Sequence, residues 1–205
     1  MKTITSIKID RAFLNMAEPL MAYLRTHSDS GELKEAIICF GESLKRFIQG
    51  DKEGIAFFIS KFSEIISRNG RQVEMLKSLK DRFVDNVPLH YPLDWRPGSW
   101  WKALKYRFGT YPREVKGTAA VRVNDLRFLS QSCLLVKEVG SQDDPRMLSD
   151  YCDAVHGVSR AIQNQDLDRS GYASVYFAPF LAKWKGRTPT LSKVFEEWEQ
   201  AVDEA

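Results

Sequence analysis

The sequence predicts a mainly α-helical fold. Three observations carry that reading. Apolar residues recur at three- and four-residue spacing through several long stretches. Clusters of Gly, Ser, Asn and Asp separate those stretches. One short run alone, Thr118-Ala119-Ala120-Val121-Arg122-Val123, favours a strand.

Residues 1–30 are expected to hold a short helix or two. Ile7, Phe13, Leu14, Met16, Leu20, Met21 and Leu24 roughly follow helical spacing, and Pro19 interrupts them. A loop is expected at Thr26-His27-Ser28-Asp29-Ser30-Gly31. Residues 32–49 form an amphipathic helix on Leu33, Ile37, Phe40 and Leu44, with Gly50 suited to the left-handed position that ends it. Residues 52–66 form the next, with Ile55, Phe58, Ile59 and Phe62 on one face, and residues 71–86 a third.

The texture then changes. Residues 87–121 hold Pro88, Pro92, Pro97 and Pro112 together with Trp95, Trp100 and Trp101, which suits a crossover rather than a helix. After the strand, Asn124-Asp125 are placed to cap a helix running to about Val139, with Leu126, Leu129, Cys133 and Val136 inside. Residues 146–165 form another long helix on Leu148, Tyr151, Cys152, Val155, Val158 and Ile162. Residues 166–185 are aromatic-rich, and residues 188–205 carry a short helix and an acidic tail.

At 205 residues, 43% hydrophobic and 28% charged, the chain suits one globular domain or one domain with a terminal extension. The longest apolar runs fall far short of the roughly 20 residues needed to span a bilayer. The first 30 residues show no apolar block of signal-peptide type, so no membrane partner and no export are expected. Cys39, Cys133 and Cys152 are too few and too scattered for a disulfide framework, which suits a reducing compartment.

No phosphate-binding, dinucleotide-binding, zinc-protease or nucleophile-elbow motif is present in the sequence. Cys152 and His156 lie one helical turn apart. Two ligands do not make a zinc site, and a Cys/His nucleophile pair needs an orienting group and an oxyanion hole besides. A buried Cys beside an ordinary His accounts for them, so no metal, no cofactor and no catalytic residue is expected.

Charge distribution says more than the net charge of +3. From Asp94 to Arg127, eight Lys and Arg face three acids, with aromatics interleaved. Such a mixture holds phosphates by charge while rings stack on bases, or else it is a solvated basic face whose rings belong to the core. Trp100 and Trp101, and the run from Tyr172 to Trp184, pose a similar choice between plugging the chain's own core and contacting another protein.

Order is what ties these pieces together. Tyr106-Arg107-Phe108-Gly109 is followed by Ala119-Ala120-Val121-Arg122-Val123-Asn124, then by Asp153-Ala154 in a long helix, then by an aromatic segment from Tyr172 through Phe177 to Lys183-Trp184-Lys185-Gly186-Arg187-Thr188. Across about residues 50–187 this resembles the coat proteins of rod-shaped plant RNA viruses, the tobamovirus-like group of tobamo-, furo-, hordei-, tobra- and benyviruses. The chain departs from that pattern where Phe177 is followed by Ala178 rather than Glu, in the length of residues 1–50, and in its tryptophan-rich crossover.

The resemblance implies an antiparallel four-helix bundle over residues 51–187, with a short strand-containing crossover, an N-terminal helical extension over 1–50 and a helical, acidic tail over 188–205. It implies a non-enzymatic structural protein that polymerises helically around single-stranded RNA, found in the virion and in host cytoplasm during assembly. Arg68, Arg71, Lys137, Arg146, Asp150 and Asp153 would face the RNA, the cations on phosphates and the carboxylates on a ribose hydroxyl or an arginine. Trp100, Trp101, Tyr172, Phe177, Phe180 and Trp184 would make subunit contacts. The alternative reading is a helical RNA-binding or protein-interaction module, such as an effector or regulator, that does not polymerise.

Overall fold

The computed structural model describes residues 6–51, 53–67, 118–141, 144–164, 173–184 and 186–203. The described chain is mainly α-helical with a small two-stranded sheet. The helix expected over 71–86 and the crossover with Trp95, Trp100 and Trp101 lie outside these residues.

Strand β1 (Ser6–Asp10) pairs antiparallel with β2 (Thr118–Arg122), in a register that sets Ser6 opposite Arg122 and Asp10 opposite Thr118. Ile9, Ala119 and Val121 are buried while Ser6, Lys8, Ala120 and Arg122 are exposed, the two-residue alternation of a half-covered ribbon. Asp10 ends β1, and its Oδ1 accepts from the Phe13 N–H at 3.3 Å, which starts the short helix α1 (Arg11–Leu14). The opening residues therefore hold an unexpected strand ahead of the helix or two expected within residues 1–30.

Helix α2 (Ala17–Thr26) follows. Pro19 sits in its first turn, where no intrahelical N–H bond is lost, so it does not interrupt the helix. Helix α3 (Gly31–Ile48) starts at Ser30, whose hydroxyl accepts from the Leu33 N–H at 3.2 Å. Glu32 in the first turn and Lys45 and Arg46 in the last complement the helix dipole. Its stripe of Leu33, Ile37, Phe40 and Leu44 is completely buried. The helix closes where Gly50 adopts φ +88°, with the Asp51 N–H bonded to the Arg46 carbonyl and the Gly50 N–H to that of Phe47.

Helix α4 (Gly54–Ser67) packs back on α3. After β2 come α5 (Val123–Leu134), the single turn or so of α6 (Val136–Gly140) and the long α7 (Pro145–Asn164). Helix α5 starts at Val123, directly after β2, without a side-chain cap. Asn124 and Asp125 lie inside its first turn rather than capping it. A π-helical turn (Ala173–Phe177), α8 (Ala178–Lys183) and α9 (Pro189–Asp203) complete the described chain.

Packing places residues 6–48 inside the core, not beside it. Helix α3 packs against α2, α4 and α5, while α7 packs against α2, α5 and α6. Helix α3, which lies before the boundary expected near residue 50, buries its apolar stripe on elements from both sides of that position. Two aromatic knots fill the interior. Phe13, Phe40, Phe58 and Phe62 tie α1, α3 and α4, with neighbouring centroids 5.0–5.8 Å apart. Phe177 lies 4.9 Å from Phe128 and 5.9 Å from Phe195, tying the π-helical turn to α5 and α9.

Candidate functional site

Helices α2 and α7 run antiparallel. Leu14 accepts from Gln163, Glu18 pairs with His156 and Arg25 pairs with Asp153, so numbers rise on one helix as they fall on the other. Arg146, Asp150 and Asp153 recur at four and three residues along the first half of α7, which makes them one stripe.

Each carboxylate on or just before that stripe holds a cation. Asp144 precedes α7, accepts from the Arg146 backbone N–H at 3.0 Å and takes its guanidinium through two bonds of 3.0 and 2.8 Å. The Arg146 hydrogen bond holds the Asp144 carboxyl down at about 2 and raises the guanidinium above its ordinary value. Asp150 Oδ2 accepts from Lys183 Nζ at 2.6 Å and from Trp184 Nε1 at 2.9 Å. Asp153 Oδ1 meets a guanidinium nitrogen of Arg25 at 2.9 Å. Lys183 and Arg187 flank the Trp184 ring, at 5.3 and 5.7 Å from its centroid.

This end of α7 therefore gathers Arg25, Arg146, Lys183 and Arg187, each within reach of a carboxylate or an indole. Lys137 is exposed on α6, which packs against α7. Of the residues expected to face RNA, Lys137, Arg146, Asp150 and Asp153 lie on α6 and α7. The two aspartates are already engaged, Asp150 by Lys183 and Trp184 and Asp153 by Arg25. Arg68 and Arg71 lie outside the described residues. Arg25, Lys183 and Arg187 were not among the expected residues. The basic run Lys183-Trp184-Lys185-Gly186-Arg187 carried a signal for two of them, whereas Arg25 reaches the stripe only through tertiary packing.

The aromatic contacts require a correction. Phe177, Phe180 and Trp184 are buried in the chain's own core, at 0%, 4% and 8% exposure, so they are not available to a neighbouring subunit. The π-helical turn and α8 fold their rings onto Phe128, Tyr151 and Phe195, and the Trp184 indole is held by Asp150. Tyr172, Trp100 and Trp101 lie outside the described residues.

Between α7 and the π-helical turn with α8 lies an open cleft of about 290 Å³. Asp150, Asp153 and Lys183 supply its polar lining, and Val175, Tyr176 and Pro179 much of its apolar lining. The Tyr176 ring lies directly on Gly157, where an added Cβ would stand 2.2 Å from a ring carbon. Val175 is 58% exposed, the one exposed large hydrophobic side chain among the described residues.

Cys152 and His156 do not form a working pair. Burial pushes the Cys152 thiol up to about 12, and His156 Nε2 meets Glu18 at 3.1 Å instead. Cys39 is likewise pushed up to about 12 and Cys133 is raised, both chiefly by burial. Among the described residues no group of three or more His, Cys, Asp or Glu is placed to hold a metal ion, and no helix is long and apolar enough to cross a membrane.

No family model, no curated protein and no solved structure matches the chain.

Proposed function

We propose that this chain binds single-stranded RNA in a non-enzymatic, structural role, as a coat subunit that polymerises helically around the strand. The observation that carries the RNA-binding part is the set of cations Arg25, Arg146, Lys183 and Arg187 at one end of α7. Exposed ion pairs of this kind are worth about 0–1 kcal/mol each, so a phosphate can take the place of a carboxylate at little cost. Between encounters the carboxylates occupy these cations, and on binding they compete with phosphate for them. Charge-based contacts of this type tolerate any sequence, which a strand passing many identical subunits requires.

The coat reading draws further support from the helices. Helices α2, α3, α5 and α7 pack in a ring, α2 on α3, α3 on α5, α5 on α7 and α7 on α2, which a four-helix bundle requires. Of these four helices, α5 and α7 fall on helices expected of the bundle, while α2 and α3 lie before residue 50.

A second reading is favoured by a specific observation. Phe177, Phe180 and Trp184, three of the six residues expected to make lateral contacts, are spent on the internal core, which suits a module that binds RNA without polymerising. One experiment separates the two. Fluorescence anisotropy with a labelled oligouridylate at about 50 and about 200 mM salt tests binding, which a phosphate-dominated interface loses steeply as salt rises. Negative-stain electron microscopy of the protein with long RNA, from about pH 5 to about pH 8, tests assembly across the range where histidines titrate. Rods or discs support the coat reading. Salt-sensitive binding without polymers supports the module. Absence of binding at low salt overturns both.

A further inference from the structure

The basic run from Asp94 to Arg127 has no part in the cationic end of α7, and it ends in β2 and the start of α5. The β1–β2 register places Arg122 opposite Ser6 and Lys8 opposite Ala120. All four are exposed and form the outer face of the ribbon, while Ile9, Ala119 and Val121 take the covered face. Lys8 and Arg122 are diagonal neighbours on that face, about 7–8 Å apart. No carboxylate of the described residues pairs with either. Asp10, the one acid in the two strands, is buried and accepts from the Phe13 N–H. Two like charges side by side with no acid between them repel each other, so the fold itself gains nothing from the arrangement. Ser6 and Ala120 are small, so neither cation is crowded by the residue opposite it. The Ser6 hydroxyl adds a donor for a phosphate oxygen. The face carries no large apolar side chain to anchor a protein partner or to enter a bilayer.

We propose that this ribbon face is a second phosphate contact for single-stranded RNA, with Lys8 and Arg122 on neighbouring phosphates. It rests on the RNA reading and extends it to the other end of α7. Strand β1 runs directly into α1, whose Leu14 carbonyl accepts from Gln163 Nε2 at 3.4 Å. Gln163 lies about 25 Å along α7 from Arg146, at about 1.5 Å per residue. The two contacts are therefore separate, and a strand that reaches both is held at two points. They also differ in readiness. Arg25, Arg146 and Lys183 each give up a carboxylate to take a phosphate, whereas Lys8 and Arg122 have none to displace among the described residues.

The test uses the full chain and labelled oligouridylate, followed by anisotropy at several salt concentrations, with phosphatidylserine-containing vesicles as a second probe. Lys8→Gln and Arg122→Gln are each expected to weaken RNA binding about three- to fivefold. Each is expected to reduce the slope of log affinity against log salt by about 1, and the double variant by about twice as much. The loss should add to that of Arg146→Ala, because the contacts are separate. Lys8→Arg and Arg122→Lys keep the charge and are expected to bind like the parent, which separates charge from a folding defect. Lys45→Gln, which removes an exposed cation from α3, is expected to leave binding unchanged. Lys8→Gln and Arg122→Gln proteins that bind RNA like the parent, while Arg146→Ala binds more weakly, overturn the proposal and leave the RNA reading standing. An equal loss in Lys45→Gln also overturns it, as does vesicle binding that the ribbon variants weaken while RNA binding holds. A parent that binds no oligouridylate at low salt overturns the RNA reading, and this contact with it.

Discussion

The hydroxyl of Ser130 on α5 donates to the backbone carbonyl of Gly41 on α3 at 2.7 Å. The two helices cross so closely there that a Cβ on Gly41 would stand 2.9 Å from the Ser130 carbonyl oxygen and 3.0 Å from the Cys133 Cβ. The obstacle is backbone, not the far end of a flexible side chain, so α5 itself must move. Gly41→Ala is therefore expected to destabilise by about 1–3 kcal/mol, the usual cost of overpacking. In a chain of this size each kcal/mol lowers the melting temperature by about 2–4 °C. Ser130→Ala removes only the hydrogen bond and should cost about 1 kcal/mol. Thermal melts of both variants check the ranking, and a Gly41→Ala protein as stable as the parent would disprove the close crossing.

Gly157 and Tyr176 form a second tight contact, and here the obstacle is a side chain. Gly157→Ala must push the Tyr176 ring off α7 and deform the cleft. With the ring removed by Tyr176→Ala, the same substitution meets no ring and gains helix propensity of about 1 kcal/mol. The two changes should therefore couple strongly in a double-mutant cycle. Gly157→Ala is expected to destabilise the parent and to be neutral or stabilising in the Tyr176→Ala background. Chemical denaturation of the four proteins measures it, and additivity would mean that the ring does not lie where described.

How much of this was legible beforehand depends on the range of the interaction. Helices α3, α4 and α7 were readable because an apolar stripe repeats within each one, and Leu33, Ile37, Phe40 and Leu44 mark the core face without reference to anything else. Gly50 was readable because a left-handed cap is a local requirement. Strand β1 was not, since Ile7-Lys8-Ile9 is a short alternation that becomes a strand only when β2 pairs with it across most of the chain. The same holds for Phe177, Phe180 and Trp184. Their spacing announces that they will be buried, but burial by one's own helices and burial by a neighbour leave the same pattern. The Arg25–Asp153 pair is pure tertiary geometry, and no spacing within either helix announces it.

The buried thiols predict an alkaline limit to stability. In the unfolded chain a cysteine releases its proton near about 8.5. In the folded chain burial pushes Cys39 and Cys152 up to about 12 and raises Cys133, and burial also raises Tyr151, whose hydroxyl donates to the Ser132 carbonyl. Above about pH 8.5 the folded state thus holds more protons than the unfolded one, so stability falls as pH rises. The contribution is complete below the unfolded value and is lost progressively as pH climbs toward about 12. Each thiol adds a slope of at most about 1.4 kcal/mol per pH unit. Urea midpoints should be flat near neutrality and decline above that point, with Cys133→Ala declining less steeply. A thiol-reactive disulfide reagent at neutral pH should label none of the three cysteines in the folded protein and all three in denaturant.

Asp144 and Arg146 give a prediction that separates charge from scaffold. Arg146 is among the most exposed of the cations at the end of α7, with its side chain 80% exposed, and Asp144 occupies it through a two-point contact. If the guanidinium serves RNA, the carboxylate competes with phosphate for it. Asp144→Asn keeps an oxygen to accept the Arg146 backbone N–H but gives up the charge, so RNA affinity should rise several-fold while the melting temperature stays nearly unchanged. Arg146→Ala should weaken binding to all sequences alike and reduce the slope of log affinity against log salt by about 1. Acid acts in the same direction as Asp144→Asn, but late. The Asp144 carboxyl sits at about 2, so its hold on Arg146 is complete above the ordinary carboxylate value and is lost only as pH falls through about 2. Anisotropy titrations of the parent and both variants with oligouridylate, each at several salt concentrations, provide the measurement. An Asp144→Asn protein that binds RNA more weakly than the parent would mean that the carboxylate positions Arg146 for the strand rather than withholding it.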